Sequence, residues 1–272
     1  MIVYPPAKIN IGLFVSEKRP DGFHNIETIF YPIGLTDTLE IVPADASGKT
    51  HFECRSVSEI DPEDNLCMKA YRLLKTVHNL PAVKIRLHKN IPVGAGLGGG
   101  SSDAAYTLLA LNTLFDLRIP DMKLFEYASR LGSDCAFFLL GAPTSGTGRG
   151  EILTPIPLSL GGYSILLVTP PVFVSTADAY AFVKPEKPNR SLSELLRAPV
   201  HEWRNVVTNA FEHSVFSRFP EIGRIKETMY ASGAVFASMS GSGSSVYGIF
   251  EQMPANAKNL FPGCFVWKQE FA

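Results

Sequence analysis

Residues 94–102 read Gly-Ala-Gly-Leu-Gly-Gly-Gly-Ser-Ser, with five glycines in seven positions. Without Cβ atoms, the backbone N–H groups of such a stretch can converge on one point. Asp103, Ala104, Ala105, Tyr106, Leu108, Leu109 and Leu111 follow, and this sequence predicts a helix from about Ser102 to Phe115 with Ser101 or Ser102 as N-cap. A bare backbone that runs into a helix start favours a polyanion, because free N–H groups and the helix dipole both attract phosphate. A tight structural turn would need fewer glycines, so we read this stretch as a phosphate loop.

Two familiar phosphate loops do not fit. A Walker A loop needs Lys after its last glycine, whereas Ser101 follows Gly100. Gly94-Ala-Gly96-Leu-Gly-Gly99 satisfies GxGxxG, and Asp116 stands near the place of a ribose-binding acid. A dinucleotide-binding first strand is buried on both faces and continuously apolar. Here Val83–His88 alternates, with Val83, Ile85 and Leu87 opposite Lys84, Arg86 and His88. Asp116 also ends the helix directly, with no second strand for a ribose acid to cap.

The rest of the chain predicts an α+β protein. Ile9–Val15, Ile26–Ile33 and Thr38–Val42 are β-branched and aromatic runs between Pro, Gly and Asp, as in strands. Leu66, Ala70, Leu73, Leu74 and Val77 are spaced as on a helix over 66–79, and a further helix is expected over 121–131. A Gly/Pro/Thr-rich passage after Gly141 suggests a boundary, which divides the chain into 1–150 and 151–272. The second part predicts strands Ser164–Thr169, Ala234–Ser238 and Val246–Glu251, and helices near 191–197, 203–217 and 221–231. Strands and helices without strict alternation point to α+β.

The second part also has a Gly/Ser loop, Ser238-Met-Ser-Gly-Ser-Gly-Ser-Ser245. Alone it is a flexible hairpin connection; paired with 94–102 it would be a second backbone wall for phosphates, with a ligand between the two. Asp134 enters the apolar Cys135-Ala-Phe-Phe-Leu139, where an unpaired charge is costly. It serves either as an acid–base group for phosphoryl transfer or as a turn or cap residue. Lys8 is the lone cation of the first strand, and is either turned inward toward a counter-charge or outward on the surface.

Composition sets outer limits. With 25 basic against 26 acidic residues, the chain offers no general field for nucleic acid or an anionic membrane. Cys54, Cys67, Cys135 and Cys264 lie far apart with no metal-ligand spacing, which favours a reducing compartment. Lys8 and Asn10 interrupt the stretch where a signal peptide would be apolar, and the apolar segments fall short of a membrane span. A cytoplasmic protein is expected; the sequence does not give its oligomeric state.

Three motifs in order, Pro6-Ala-Lys-Ile-Asn10, Pro92-Val-Gly-Ala-Gly-Leu-Gly-Gly-Gly-Ser-Ser102 and Ser240-Gly-Ser-Gly-Ser244, resemble those of the GHMP kinases. This is the superfamily of galactokinase, homoserine kinase, mevalonate kinase and phosphomevalonate kinase. Asp21-Gly-Phe-His24, Asp64-Asn-Leu66, Leu97-Gly-Gly-Gly-Ser-Ser-Asp-Ala-Ala105, Gly132-Ser-Asp134 and Gly148-Arg-Gly-Glu151 are most similar to the branch that phosphorylates a cytidine diphosphate-linked polyol in non-mevalonate isoprenoid synthesis. The resemblance implies a two-domain fold, its N-terminal domain like ribosomal protein S5 domain 2 and its C-terminal domain ferredoxin-like, with ATP and substrate in the cleft.

It also implies roles. Asp134 would take the proton of a tertiary hydroxyl, and Lys8 would orient that hydroxyl and stabilise developing charge. Pro92, Val93, Gly94, Ala95, Gly96, Leu97, Gly98, Gly99, Gly100, Ser101 and Ser102 would hold ATP, with Asn65 and Lys89 near the adenosine. Asn10, Phe23, His24 and Tyr180 would surround the cytidine end, where rings flank the base and His24 hydrogen-bonds it. Mg²⁺ would accompany ATP, with no carboxylate marked as its ligand. The family usually has Tyr at the place of Phe23 and Val-Pro at Cys135-Ala136, and Asn209-Ala-Phe-Glu212 is a loose form of its Asn-Asp-Phe-Glu. The alternatives are a homoserine- or mevalonate-type kinase and a catalytically silent nucleotide-binding module.

Overall fold

The computed structural model describes residues 1–44, 48–56, 61 and 63–271. Its strands are β1 (Ile2–Val3), β2 (Pro6–Lys18), β3 (His24–Thr36), β4 (Thr38–Pro43), β5 (His51–Arg55), β6 (Val83–His88), β7 (Thr144–Thr147), β8 (Ile152–Pro155), β9 (Ser164–Thr169), β10 (Phe236–Met239), β11 (Val246–Phe250) and β12 (Phe265–Glu270). The α-helices are α1 (Leu66–His78), α2 (Gly99–Leu114), α3 (Asp121–Leu131), α4 (Phe137–Leu140), α5 (Thr176–Ala181), α6 (Leu192–Leu195), α7 (Glu212–Arg218) and α8 (Pro220–Ala231). Three four-stranded sheets interspersed with helices bear out the α+β expectation.

The chain divides into two compact units, each gathered from several segments. One holds Met1–Ala7, Gly34–Val93 and Gly98–Gly141; the other holds Lys8–Ile33, Gly94–Leu97 and the chain from Ala142 onward. In the first unit the sheet runs β1-β4-β6-β5, and only β5 and β6 pair in parallel. β6 buries Val83, Ile85 and Leu87 and turns Arg86 and His88 outward, as its alternation predicts. α1 starts where the Asn65 side chain accepts the Cys67 N–H at 2.8 Å, and it stops at Asn79, a left-handed residue with φ 51°. α2 packs against α1, α3 and α4. Ala104, Ala105, Leu108, Ala110 and Leu111 are buried on several sides of it, so this is an internal helix.

The start of α2 differs from expectation. It begins at Gly99, Gly98 is its N-cap with φ 71°, and no side chain caps it. Ser101 and Ser102 stand inside the first turn because a glycine at positive φ turns the backbone earlier than a serine cap would.

In the second unit, β2-β3-β7-β8 form one sheet and β10-β11-β9-β12 another, the latter wholly antiparallel. β9 lies between β11 and β12 and is buried at every position, which is why its sequence is apolar rather than alternating. Leu13, Val15, Leu166, Val168, Phe211, Ile222, Met229, Met239 and Phe250 form part of this unit's core. The helix expected over 203–217 is broken: Val200–Asn205 is a 3-10 turn, Leu13 pairs with Asn209, and α7 starts only at Glu212.

Candidate active site

The glycine stretch is shared by the two units, with 94–97 in the second and 98–102 in the first. In the second unit, Gly96 is held from two sides. Its carbonyl accepts from Ser240 Oγ at 2.9 Å and from Lys8 Nζ at 3.1 Å. Its φ is +78°, and a Cβ there would collide with the Ser240 carbonyl oxygen. The Ser245 N–H donates to the Ala95 carbonyl at 3.2 Å. Ser240, Gly241, Gly243, Ser244 and Ser245 are buried, and only Ser242 is partly open. The 238–245 loop is therefore a hairpin connection that buttresses 94–97, not a second open wall.

Lys8 is buried. Its Nζ donates to Asn10 Oδ1 at 2.6 Å and stands 5.3 Å from the centre of the Phe30 ring. Asn10 is buried too, and its Nδ2 donates to Thr28 Oγ1 at 2.9 Å. The amide thus holds the lysine ammonium.

Asn209, which the sequence left without a role, stands behind this arrangement. Its Nδ2 donates to the Met239 and Gly241 carbonyls, each at 2.8 Å, and its Oδ1 accepts the Phe211 N–H. Glu212 Oε1 accepts from the Met239 N–H at 2.9 Å and from Ser238 Oγ at 3.1 Å. The Asn-Ala-Phe-Glu stretch was the available signal, and these bonds give it a purpose as the support of the hairpin.

Of the residues expected at the cytidine end, two meet in the second unit. The His24 and Tyr180 rings stack at 4.9 Å and 21°, and Phe211 meets Tyr180 edge-on at 4.7 Å. Burial, then Lys18, pulls the His24 pKa below its ordinary value and favours a neutral ring. Phe23 is 53% exposed, with the Arg149 guanidinium 4.9 Å from its ring centre. Arg149 had no assigned role. Its N–H is fixed by Glu151 Oε2 at 2.5 Å, within the Gly148-Arg-Gly-Glu151 motif. Phe173, also unassigned, is 71% exposed and lies where a Cβ on Gly94 would meet it at 2.6 Å.

In the first unit, Asp134 lies half-buried in the turn between α3 and α4, with buried Cys135 after it. Burial pushes the Cys135 thiol up to about 11, so it stays protonated. Asn65 caps α1. Val93 is exposed and Pro92 partly so. Lys89 Nζ lies between two carboxylates, Asp37 Oδ2 and, at 2.6 Å, Asp103 Oδ2. Ser102 Oγ is buried without a hydrogen-bond partner. Among the described residues no group of three His, Cys, Asp or Glu side chains could hold a metal ion, and no helix is long and apolar enough to cross a membrane. None of the four cysteines is in a disulfide.

The family described as GHMP kinases N terminal domain matches residues 65–142, and that described as GHMP kinases C terminal matches residues 189–259. A Bacteroides fragilis protein named 4-diphosphocytidyl-2-C-methyl-D-erythritol kinase is 51% identical over 272 residues, covering 99% of both chains. The Bacteroides thetaiotaomicron protein of that name is 53% identical over 253 residues, covering 92% of each. A crystal structure of 4-(cytidine 5'-diphospho)-2C-methyl-D-erythritol kinase superposes with a TM-score of 0.83 at 33% identity, covering 98% of both chains. Methanococcus jannaschii mevalonate kinase shares the fold, with a TM-score of 0.76 at 15% identity over 100% of this chain and 98% of its own.

Proposed function

The chain belongs to the GHMP kinases, and on that premise we propose that it transfers the γ-phosphoryl group of ATP to the 2-hydroxyl of 4-diphosphocytidyl-2-C-methyl-D-erythritol, releasing ADP. The observation that carries this reading is the buried Lys8 ammonium. Asn10 and the Gly96 carbonyl fix it at the glycine stretch, and this motif is the one the family resemblance assigns to catalysis. A cation held without mobile partners stabilises charge with little reorganisation as the acceptor oxygen develops it.

The acceptor hydroxyl attacks the γ-phosphorus, its proton passes to the Asp134 carboxylate, and ADP leaves. Lys8 orients the hydroxyl. The N–H groups of the first turn of α2 and the 94–97 backbone receive phosphate oxygens, flanked by Pro92, Val93, Ser101 and Ser102, while Asn65 and Lys89 lie toward the adenosine. Phe23, His24 and Tyr180 receive the cytosine, and neutral His24 offers it both a donor and an acceptor. Mg²⁺ bound with the nucleotide would offset its charge. Such an ion needs only one or two protein oxygens, and the unpartnered Ser102 Oγ fits that need. The division 1–150 and 151–272 leaves each family match wholly on one side. A reducing cytoplasm suits the four free thiols.

The test is ADP release with ATP–Mg²⁺ and the cytidine diphosphate-linked polyol, beside homoserine and mevalonate as acceptors. We expect turnover with the polyol alone, competed by cytidine diphosphate. Asp134→Asn is expected to lower turnover by orders of magnitude while nucleotide binding survives. No turnover above a protein-free control would refute the reading, and near wild-type turnover of Asp134→Asn would remove that residue from the mechanism.

A further inference from the structure

Three charged side chains in the first unit are buried together. The side chains of Lys89, Asp37 and Asp103 are 5%, 0% and 3% exposed. Asp37 is the single residue between β3 and β4, and its own N–H donates to the Pro5 carbonyl at 2.9 Å. Its Oδ2 accepts from Lys89 Nζ, while its Oδ1 accepts the N–H groups of Asn90 at 2.6 Å and Ile91 at 2.9 Å. One carboxylate therefore gathers three consecutive residues just before the glycine stretch.

The network continues into α2. Lys89 Nζ donates to Asp103 Oδ2, a side chain of the first helical turns. The ammonium also lies against the backbone of Gly99, where a Cβ would come within 3.1 Å of Nζ and 3.0 Å of Ile91 Cγ2. An acid so near a helix start would ordinarily face the free N–H groups, yet Asp103 turns Oδ2 to Lys89 and leaves Oδ1 buried and unpartnered. Gly98 brings no side-chain cap either.

Stability alone is a poor reason for such a group. A buried ammonium between two carboxyl groups has a desolvation cost that its pairing scarcely offsets, and apolar side chains of similar volume would hold the same space at least as well. What charged partners add is a fixed direction and distance. We propose that Asp37 is a positioning residue for nucleotide binding: by holding Lys89, Asn90 and Ile91 it sets Lys89 against Asp103 and Gly99, and so fixes where the N–H groups of the first turn of α2 point. The inference rests on reading that turn as the seat of the nucleotide phosphates.

It also differs in sign from a direct role of Lys89. If Lys89 bound the nucleotide itself, removing Asp37 would release its ammonium and tighten binding. A positioning role loosens it. The test uses the full chain as Asp37→Ala and Asp37→Asn, with ATP–Mg²⁺ and the acceptor polyol varied separately, and with hydrogen exchange of the 98–103 amides read without ligand. Asp37→Ala is expected to raise KM for ATP by roughly tenfold or more, the scale found for outer groups that orient a binding site. KM for the acceptor should stay within about twofold, and the 98–103 amides should exchange faster. Asp37→Asn, which keeps an acceptor for the two backbone N–H groups, should fall between Asp37→Ala and the wild type.

An unchanged or lowered KM for ATP, or unchanged exchange over 98–103, would overturn the proposal. Loss of folding in both variants would overturn it too, since the role assigned is local. If the wild type neither binds ATP nor turns over, the functional reading fails, and the exchange measurement still decides whether Asp37 holds the turn.

Discussion

Gly96→Ala tests whether the glycine stretch is shaped by its backing or only by its ligand. The new Cβ would collide with the Ser240 carbonyl oxygen and lie 3.0 Å from the Ser240 carbonyl carbon and 3.1 Å from the Gly243 oxygen. These are backbone atoms of a buried hairpin connection, so no side chain can swing aside. Placing alanine at φ +78° costs about 1–2 kcal/mol. Overpacking a filled interior adds about 1–3 kcal/mol. The expected destabilisation is therefore about 2–5 kcal/mol, a large share of the roughly 5–15 kcal/mol that holds a typical domain.

The same displacement reaches the chemistry. The Gly96 carbonyl accepts from both Ser240 Oγ and Lys8 Nζ, so a shift of the peptide moves the ammonium or deprives it of an acceptor. A misplacement of about 1 Å near a reacting centre lowers turnover by roughly 10²-fold. Gly100→Ala is the matched comparison. Gly100 has no positive φ, and its added Cβ would meet only Leu66 Cδ1, at an ordinary 3.6 Å. It sits in α2, where alanine is expected to add about 0.4–1 kcal/mol through the unfolded state. Denaturant melts of both variants and ADP release by Gly96→Ala decide the matter. A Gly96→Ala protein within about 1 kcal/mol of wild type, or equal losses in the two variants, would refute the reasoning.

Burial, aided by Asp37, pushes the Asp103 pKa up to about 7 from an ordinary 3.8, against the pull of Lys89, with Cys54 and Cys67 as further titratable neighbours. Between those two values the native state keeps a proton that the unfolded chain has released, so this group's contribution to stability falls as pH rises from about 4 through about 7. Urea midpoints across that range should show this decline in wild type and a flatter profile in Asp103→Asn; equal slopes would contradict the assignment. Asn209→Ala leaves the Met239 and Gly241 carbonyls without their donor and should cost roughly 2–5 kcal/mol, read by the same melts. Phe23→Ala should raise KM for the cytidine diphosphate-linked acceptor by the equivalent of about 1–3 kcal/mol of lost stacking and leave KM for ATP unchanged. A parallel rise in both constants would place Phe23 elsewhere.

What the sequence makes legible is what is decided within a few residues. The alternation of Val83–His88 and the helical spacing of Leu66, Ala70 and Leu74 are local, and β6 and α1 follow them. The glycine stretch is legible for the same reason, since five close-set glycines mark it without a partner in view. The failures occur where a distant segment decides. Ser101 or Ser102 suits a cap by type, yet Gly98 turns the chain first. The apolar spacing over 203–217 fits one helix, yet Leu13, far away on β2, pairs with Asn209 and interrupts it.

The site divides along the same line. Lys8 and Asn10 are two residues apart and their contact is short-range, whereas Ser240, which shares the Gly96 carbonyl with Lys8, is 144 residues away from that glycine. Asp37 meets Lys89 across 52 residues, and nothing in either local sequence points to the other. Motifs identify groups that need a given chemical type; the groups that hold them in place need only the right position, and many types of residue can supply it. Asn209 is the intermediate case, a motif residue whose type is fixed because two carbonyls and one N–H must be satisfied by a single side chain. Only an amide offers two donors and an acceptor at that size, so its identity follows from the hydrogen bonds of the hairpin and not from any contact with a ligand.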